Sequence, residues 1–330
     1  MNRINIKDLA KLLSLNPSTV SRALSDHPDI KSETKKRVKA AAAEFNYLPN
    51  LHARYFRQKS SRLIALVLPE FNMYFIPGLM DGVNTVLKDS GYSIIIFFSD
   101  NSLEREKEIV NYCLSWVVEG VLISLSEHTK NCDHLLPLKD AGITVVLLDK
   151  VIHSQDFTTV TIDDKDTARN AVQYLYENKK THILGIFANP SLEITRLRVA
   201  GFTSAHLDAG LPPPGDEDIV YIYKDTKSEW LEAKLLAKNY DGVFVMSDEL
   251  LMYSYASFRK LQLYPQKISI VAISDGILPI QLYPQVSHFL HSGYEIGKKA
   301  AAVLLSTKKE PSGVFHHVIP IQLIRLDSVV

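Results

Sequence analysis

The chain has 330 residues, enough for two or three domains, and 46% of them are hydrophobic, as is typical of globular proteins. It contains no run of about 18 apolar residues, which excludes a membrane-spanning helix, and its N-terminus lacks the apolar stretch of a signal peptide. The two cysteines, Cys113 and Cys132, have no metal-type spacing. We therefore expect a cytoplasmic protein without a disulfide framework, a metal site or a cofactor.

The charge of the chain is unevenly distributed. The 37 basic and 37 acidic residues give a net formal charge of zero. Residues 1–60, however, carry twelve basic and five acidic residues, whereas the remainder carries 25 basic and 32 acidic ones. A basic segment joined to an acidic body indicates a nucleic-acid contact at the N-terminal end.

Three short helices are predicted in the basic segment, over residues 6–13, from Asn16 to residue 24, and from residue 32 to about 45. Asn5 and Asp8 have the spacing of a capping box, Pro17 suits a first helical turn, and Ser32 can cap the third helix. The short connection between the first two helices is typical of a helix-turn-helix. Helical spacing predicts a core of Leu9, Leu12, Val20, Leu24 and Val38.

From residue 62 onward, short β-branched runs alternate with amphipathic windows. Strands are predicted at residues 63–68, 93–98, 120–124, 144–148, 160–162, 182–187, 219–223, 242–246, 269–273, 287–289 and 318–324. Helical windows lie at 78–90, 103–115, 167–178, 195–209, 250–261 and 294–305. The alternation predicts an α/β fold of parallel sheets covered by helices on both faces, and the number of strands favours two lobes.

The motifs of the chain resemble those of one protein family. The segment IKDLAKLLSLNPSTVSRALSDHPDIKSETKKRVKAAAAEFNYLPN is followed by FNMYFIPGLMDGV, RLRVAGF, MSDELLM and VAISDG, in the order found in the lactose/galactose-repressor (LacI/GalR) family of bacterial transcription regulators. The resemblance implies a helix-turn-helix head (residues 1–46), a hinge helix and linker (47–61), and a periplasmic-binding-protein-like effector and dimerisation domain (62–330). Lobe one would comprise about 62–160 and 292–320, and lobe two about 163–289.

The resemblance implies a role for each exposed position of the head. The helix from Asn16 would enter the major groove, with Arg22 as the main base reader and Lys7 and Thr19 on phosphates. The hinge would lie in the minor groove, where Phe56 stands at the position of a wedge leucine. The predicted major-groove residues are Asn16, Ser18, Ser21 and Arg22, and the predicted hinge contacts are Asn50, Ala53, Arg54, Phe56 and Arg57.

Side chains that follow the predicted strands would bind an effector between the lobes, since ligands of open α/β sheets lie beyond the carboxyl ends of strands. A cross-lobe ion pair or a strand-end cap remains the alternative reading for Asp149 and Arg198. Lys150, Lys224 and His291 would make the cleft basic, which favours a sugar acid. The predicted effector residues are Tyr74, Phe75, Ser124, Asp149, Lys150, Arg198, Lys224, Ser247, Ser274, Asp275 and His291.

The sequence therefore predicts a transcription regulator, of repressor type, that binds a palindromic operator as a homodimer and senses a sugar or a sugar acid. A dimer is expected because the chain shows no C-terminal leucine heptad of the kind that makes some members tetrameric. No G-x-S-x-G, P-loop, H-E-x-x-H or G-x-G-x-x-G motif indicates an enzyme. The alternative is a sugar-binding protein for transport or sensing that does not regulate DNA directly.

Overall fold

A computed structural model describes residues 4–47, 60–152, 154–223, 225–310 and 313–329. The chain forms two compact units, Met1–Ser61 and Arg62–Val330, which we call the head and the body. The finer boundaries at residues 46, 160 and 292 stay predictions. Six predicted contact residues lie outside the described part of the chain: Asn50, Ala53, Arg54, Phe56, Arg57 and Lys224.

Within residues 4–47 and 60–61, the described part of the head, there are three helices, α1 (Ile6–Leu12), α2 (Pro17–Leu24) and α3 (Ser32–Glu44). The predicted capping box is present in α1: Asn5 Oδ1 accepts hydrogen bonds from the backbone of Lys7 at 2.8 Å and of Asp8 at 3.2 Å, and Asp8 Oδ2 accepts one from Asn5 N at 3.0 Å. The predicted cap at Ser32 is wrong, because Ser32 already has helical backbone and Lys31 stands at the cap without a side-chain bond.

One small apolar core joins the three helices of the head. Leu9 and Val20 are fully buried in it, and Ile6 and Leu13 pack against its edge. The prediction that Leu12 belongs to this core is wrong, since 56% of its surface is exposed. The reason is periodicity: the buried stripe follows Ile6, Leu9 and Leu13, and Leu12 falls beside it. The buried core residues are Leu9, Ala10, Val20, Ala23, Val38, Ala41 and Tyr47.

The body contains two six-stranded sheets. The elements of lobe one, in chain order, are β1 (Leu63–Leu68), α4 (Phe75–Asp89), β2 (Ser93–Phe98), α5 (Leu103–Ser115), β3 (Gly120–Ile123), α6 (Leu136–Asp140), β4 (Thr144–Leu148), β5 (Thr158–Thr161), α11 (Gly293–Lys309) and β11 (His316–Val318). Those of lobe two are α7 (Asp164–Glu177), β6 (Ile183–Phe187), α8 (Glu193–Asp208), β7 (Ile219–Tyr221), α9 (Ser228–Ala237), β8 (Gly242–Val245), α10 (Asp248–Lys260), β9 (Ser269–Ser274), β10 (Ser287–Leu290) and β12 (Leu323–Ile324).

The two sheets have matching strand orders. The first runs β11-β5-β4-β3-β1-β2 and the second β12-β10-β9-β8-β6-β7. Every neighbouring pair is parallel except β10 and β12, which are antiparallel. The chain passes between the sheets three times: after β5, after β10 and after β11. Because the pairs are parallel, the carboxyl ends of the strands of each sheet meet at one edge, where the fold places loops from both lobes.

Each lobe also contains one helix pair packed at very short range. A Cβ atom on Gly82 of α4 would lie 2.1 Å from the carbonyl oxygen of Tyr294 in α11. A Cβ atom on Gly201 of α8 would meet the carbonyl oxygen of Lys165 in α7 at the same distance. Only glycine allows the backbones to approach this closely, so these two positions fix the helices that cover each sheet.

Most predicted strands agree with the structure to within two residues at each end. The prediction of one strand over residues 318–324 is wrong. The chain forms two short strands there, His316–Val318 in the first sheet and Leu323–Ile324 in the second, because it crosses between lobes at Ile319–Gln322. Helices α6 and α9 were not predicted, since neither segment shows a clear apolar stripe.

Candidate DNA-binding face and ligand cleft

Helix α2 of the head exposes most of the residues predicted to read bases. Val20 and Ala23 point into the core, so the opposite face carries Ser18 and Arg22, which are exposed, and Ser21, which is half-buried. Asn16 precedes the helix and is exposed, and its side chain makes no cap hydrogen bond. The side chains on this face are therefore available to an outside partner.

Other exposed basic side chains lie elsewhere on the surface of the head. Lys7 is exposed on α1 and Thr19 is half-buried on α2, as the predicted phosphate contacts require. One lysine is already paired, since Lys39 Nζ lies 2.6 Å from Asp26 Oδ2 and lowers the pKa of that carboxyl by its hydrogen bond and its charge. Other exposed basic residues of the head are Lys11, Lys31, Lys36 and Arg37.

The body has two adjoining cavities at the carboxyl ends of its strands. The inner cavity, about 200 Å³, is lined by Glu70, Met73, Phe75, Glu127, Asp149, Lys150, Ala188, Leu192, Ile194, Arg198, Met246, Ser247, Asp248, Glu249, Leu250, Ile273, Ser274, Asp275 and His291. The outer cavity, about 730 Å³, shares five of these residues and is otherwise lined by Leu125, Ser126, His128, Thr129, Lys130, Val151, Ile152, Thr161, Ile162, Asp164, Asn189, Ser191, Glu193, Arg196 and Leu197. Both lobes contribute to each cavity.

Eight of the eleven predicted effector residues line the inner cavity: Phe75, Asp149, Lys150, Arg198, Ser247, Ser274, Asp275 and His291. Tyr74 does not line it; its ring packs on the core of lobe two and its backbone N–H donates to Glu249 Oε1 at 3.2 Å. Ser124 is buried, and its Oγ accepts a hydrogen bond from Lys150 N at 3.4 Å. Neither residue lines the inner cavity, and their contact with an effector stays a prediction.

Arg198 is buried and mostly engaged within lobe two. Its Nε donates to Asp164 Oδ1 at 2.9 Å, and its Nη1 donates to the carbonyl oxygen of Met246. The Nη2 atom lies 2.8 Å from Asp164 Oδ1 but has no partner in hydrogen-bonding geometry among the described residues. The structure thus pairs Arg198 with Asp164 inside lobe two, rather than across the lobes as the alternative reading had it.

Asp149 and His291 form the deepest titratable pair of the cavity. Asp149 Oδ1 lies 3.4 Å from His291 Nε2, and the imidazole stacks on Phe75 with ring centroids 4.8 Å apart. Burial raises the pKa of Asp149 to about 6 and lowers the pKa of His291 to about 3. Because burial disfavours both charged forms, His291 is a neutral hydrogen-bonding group at pH 7.

Asp248 orders the start of α10 and the end of β9. Its carboxylate accepts hydrogen bonds from Ser274 Oγ at 2.5 Å and from Asp275 N at 2.8 Å, yet burial still raises its pKa to about 6. Ser247 caps the same helix by accepting from Leu250 N at 3.4 Å. Asp275 Oδ2 accepts a hydrogen bond from Gly293 N at 3.1 Å.

Three carboxylates that line the cavity were not predicted from the sequence: Glu70, Glu127 and Glu249. Glu249 bridges the lobes, since it is in the first turn of α10 and accepts from the backbone at the start of α4. Glu70 is tied to Asn101, whose Nδ2 donates to Glu70 Oε1 at 2.5 Å. Glu70 and Glu127 come two and four residues after strands, a signal that could have found them.

The expectation of a basic cleft is wrong for the inner cavity. Six carboxylates line it, on Glu70, Glu127, Asp149, Asp248, Glu249 and Asp275. The only basic side chains among the described residues that line this cavity, apart from His291, are Lys150 and Arg198, and Arg198 is paired with Asp164. Sequence reasoning counted His291 as a cation because burial cannot be read from residue type.

A buried carboxylate outside the cleft also went unpredicted. Glu106, in α5, is fully buried and accepts from Ser126 N and Ser126 Oγ at 2.5 Å and from Thr129 Oγ1 at 2.8 Å. Its Oε2 lies 3.0 Å from His134 Nε2. Burial by itself would raise the pKa of Glu106, but the hydrogen bonds from His134, Ser126 and Thr129 lower it. The network holds the 125–130 loop that lines the outer cavity.

No helix among the described residues is long and apolar enough to cross a membrane.

Residues 5–50 match the family of bacterial regulatory proteins, lacI family, and residues 64–283 match the family described as periplasmic binding protein domain. Together the two matches span most of the chain.

Known proteins of similar sequence and fold share this organisation. The chain is 29% identical over 311 residues to the ribose operon repressor of Bacillus subtilis (strain 168), covering 93% of this chain and 92% of that one. The crystal structure of the Lac repressor dimer bound to operator and the anti-inducer ONPF has a TM-score of 0.85 at 18% identity, with 100% of both chains covered. A complex of the transcriptional regulator CelR with cellobiose has a TM-score of 0.71 at 22% identity and covers 99% of this chain and 100% of that one.

Relatives that match over more than nine tenths of the chain are named as a catabolite control protein and an operon repressor, which favours a regulator over the alternative of a transport protein. A helix-turn-helix head and a two-lobed body of parallel sheets are joined here in one chain. The chain thus combines a helix-turn-helix head of the lacI family of bacterial regulatory proteins with a body that belongs to the periplasmic binding protein domain family.

Proposed function

We propose that this regulator binds a palindromic operator in double-stranded DNA as a homodimer, and that a small carbohydrate in the inner cavity changes its affinity for that operator. Two copies are needed because each head presents a single short recognition helix, and a two-fold dimer matches a palindromic site. In this proposal the body binds its ligand without converting it.

The exposed face of α2 is the observation that supports the proposed binding of DNA. Asn16, Ser18 and Arg22 are exposed on one side of a helix whose other side is buried in the core. An arginine there can read the O6 and N7 edge of guanine in the major groove. Lys7 and Thr19 would position the head on phosphates, and Ser21 would support the base contacts from the edge of the same face.

The inner cavity supports the proposal of a carbohydrate. Phe75 offers an aromatic face to the C–H surface of a sugar ring, and the carboxylates can each accept hydrogen bonds from hydroxyl groups. The cavity lies between the two lobes, which are joined beside it by contacts such as the hydrogen bond from Tyr74 N to Glu249 Oε1. The names of two similar proteins, a ribose operon repressor and a regulator bound to cellobiose, point to the same class of ligand.

Control of DNA binding follows if the ligand prefers one arrangement of the two lobes. A ligand shifts a conformational equilibrium only by its difference in affinity for the two states. A coupling of about 1–3 kcal/mol would change operator affinity by roughly 5- to 150-fold.

An exposed apolar surface of lobe two supports the homodimer. Ile277, Ile280 and Tyr283 lie close together in sequence, and 82% of Tyr283 is exposed. Exposed large apolar side chains grouped in one short segment mark a candidate protein interface. Light scattering at micromolar concentration should give the mass of two chains, and a tetramer or a monomer would contradict the proposal.

Operator selection from random duplex DNA tests the proposed reader. The purified full chain should enrich a palindrome, and Arg22→Ala should relax the preference at one base pair of each half-site, at a cost of about 1–3 kcal/mol. Arg37→Ala, which removes an exposed arginine from α3, is the matched control and should keep the full preference. An unchanged preference in Arg22→Ala would show that another residue reads the DNA.

A further inference from the structure

The charged side chains around the inner cavity indicate which class of carbohydrate it binds. Six carboxylates line a space of about 200 Å³. This volume is below the range typical of drug-sized ligands, roughly 300–1,000 Å³, so it suits one sugar ring. A ligand enclosed by so many carboxylates experiences a strongly negative potential.

Few positive charges of the protein offset these carboxylates. Arg198 is paired with Asp164, and His291 is neutral at pH 7 because of its burial. Of the cations that line the inner cavity among the described residues, Lys150 alone has no carboxylate within ion-pair distance. A uronate would add one more negative charge to this site.

A metal ion does not account for the arrangement. No group of three or more histidine, cysteine or acidic side chains converges on a point that could hold a metal ion, within the part of the chain that the structure describes. The carboxylates are instead spread around the cavity on both lobes, with Glu70 and Asp149 in lobe one and Asp248 and Asp275 in lobe two. Such a spread matches an organic ligand whose donors point in several directions.

An independent observation indicates a ligand with an acceptor as well. The side chain of Arg198 is 2% exposed, and its Nη2 has no partner in hydrogen-bonding geometry among the described residues. A hydroxyl or ring oxygen can satisfy this N–H group, whose burial without a partner is otherwise unfavourable. Phe75, Leu192 and Met246 supply the apolar surface that a sugar ring covers.

We propose that the effector is an amino sugar, whose ammonium group binds among the cavity carboxylates while its hydroxyls and ring oxygen meet Asp275, Asp149 and Arg198. Glu127 is the best placed ammonium partner, because it lines both cavities and its carboxylate makes no hydrogen bond or ion pair among the described residues. The inference rests on the proposed function, since it specifies the ligand of the same cleft.

Matched sugars that differ at a single group test the proposal. Glucosamine, galactosamine and mannosamine are each compared with the parent hexose and the corresponding uronate, by thermal unfolding and calorimetry of the full chain. At least one amino sugar should bind about tenfold or more tightly than its parent hexose, since a charge-assisted hydrogen bond exceeds a neutral one by roughly that factor. Tighter binding of any hexose or uronate, or no binding of any amino sugar, would overturn the proposal.

Glu127→Gln isolates the charge. It should weaken the amino sugar about tenfold and leave the affinity for the parent hexose within about twofold, because the amide keeps the size but not the charge. Glu104→Gln, on the exposed face of α5, is the matched control and should change neither affinity. Equal weakening of both sugars by Glu127→Gln would contradict the ammonium contact, and unfolding of the ligand-free variants shows whether each is folded.

Operator binding separates this inference from the proposed function. A hexose or uronate that binds and changes operator affinity would refute the amino sugar while leaving ligand control of DNA binding intact. An amino sugar that binds selectively without changing operator affinity would support the ligand class and refute that control.

Discussion

Two regions of the body bury carboxylates in opposite ways. Glu106 accepts hydrogen bonds from Ser126 and Thr129 and lies 3.0 Å from His134 Nε2, and these groups lower its pKa in spite of its burial. Asp149 and Asp248 line the cleft with fewer donors, and burial raises the pKa of each to about 6. A buried charge with a full set of partners stabilises the fold, whereas a buried charge with an incomplete set is available to a ligand.

Replacing Glu106 should give the largest effect. Glu106→Gln places an amide N–H₂ among groups that already donate, so buried donors lose their acceptor and the free energy of unfolding should fall by about 3 kcal/mol. Urea denaturation at pH 7.5 measures this change. Glu104→Gln, from an exposed pair with Lys107, should stay within about 0.5 kcal/mol, and a loss of similar size in both variants would remove the distinction.

Asp248→Asn should cost less, about 1 kcal/mol or less at pH 7.5, because the carboxylate is already held at an unfavourable pKa and asparagine keeps an acceptor for Asp275 N. The same variant should reduce ligand affinity, since Asp248 lines the cavity. If Asp248→Asn destabilises the protein as much as Glu106→Gln does, then Asp248 is as fully satisfied as Glu106 and the comparison fails.

The two carboxylates should also respond to pH with opposite sign. Burial raises the pKa of Asp248 in the folded protein to about 6 from its ordinary value of 3.8, so the folded protein takes up a proton first and gains stability as the pH falls through 6. Between pH 7 and pH 5 the gain is about 1 kcal/mol, and it should be absent from Asp248→Asn. Glu106, whose pKa is lowered, contributes stability at neutral pH that is lost only in stronger acid.

Local patterns in the sequence determined much of the fold and less of the site. The helices of the head, the capping box at Asn5 and the order of strands and helices follow from spacing and turn residues. The prediction that Leu12 is buried was wrong because so short a helix contains too few apolar residues to define its buried side. The strand at 318–324 divides because the chain changes lobes there, and an apolar run does not show to which sheet it belongs.

The cleft illustrates the same limit in chemistry. Position after a strand placed Asp149, Asp275 and Phe75 at the cavity, since the carboxyl ends of parallel strands meet at one edge. The state of His291 could not be predicted, because it depends on burial by residues distant in sequence. Glu106 and His134 were missed because their network joins a helix and a loop that have no shared motif.

Operator affinity measured with and without ligand, by fluorescence anisotropy on a selected palindrome, tests the central claim most directly. The full chain should bind the palindrome, and a ligand of the inner cavity should change that affinity by at least fivefold. Asp275→Asn should bind the palindrome as the unaltered chain does but lose most of the response to ligand, because Asp275 lines the cavity and not the head. Operator affinity that is the same with and without a bound ligand would contradict the account.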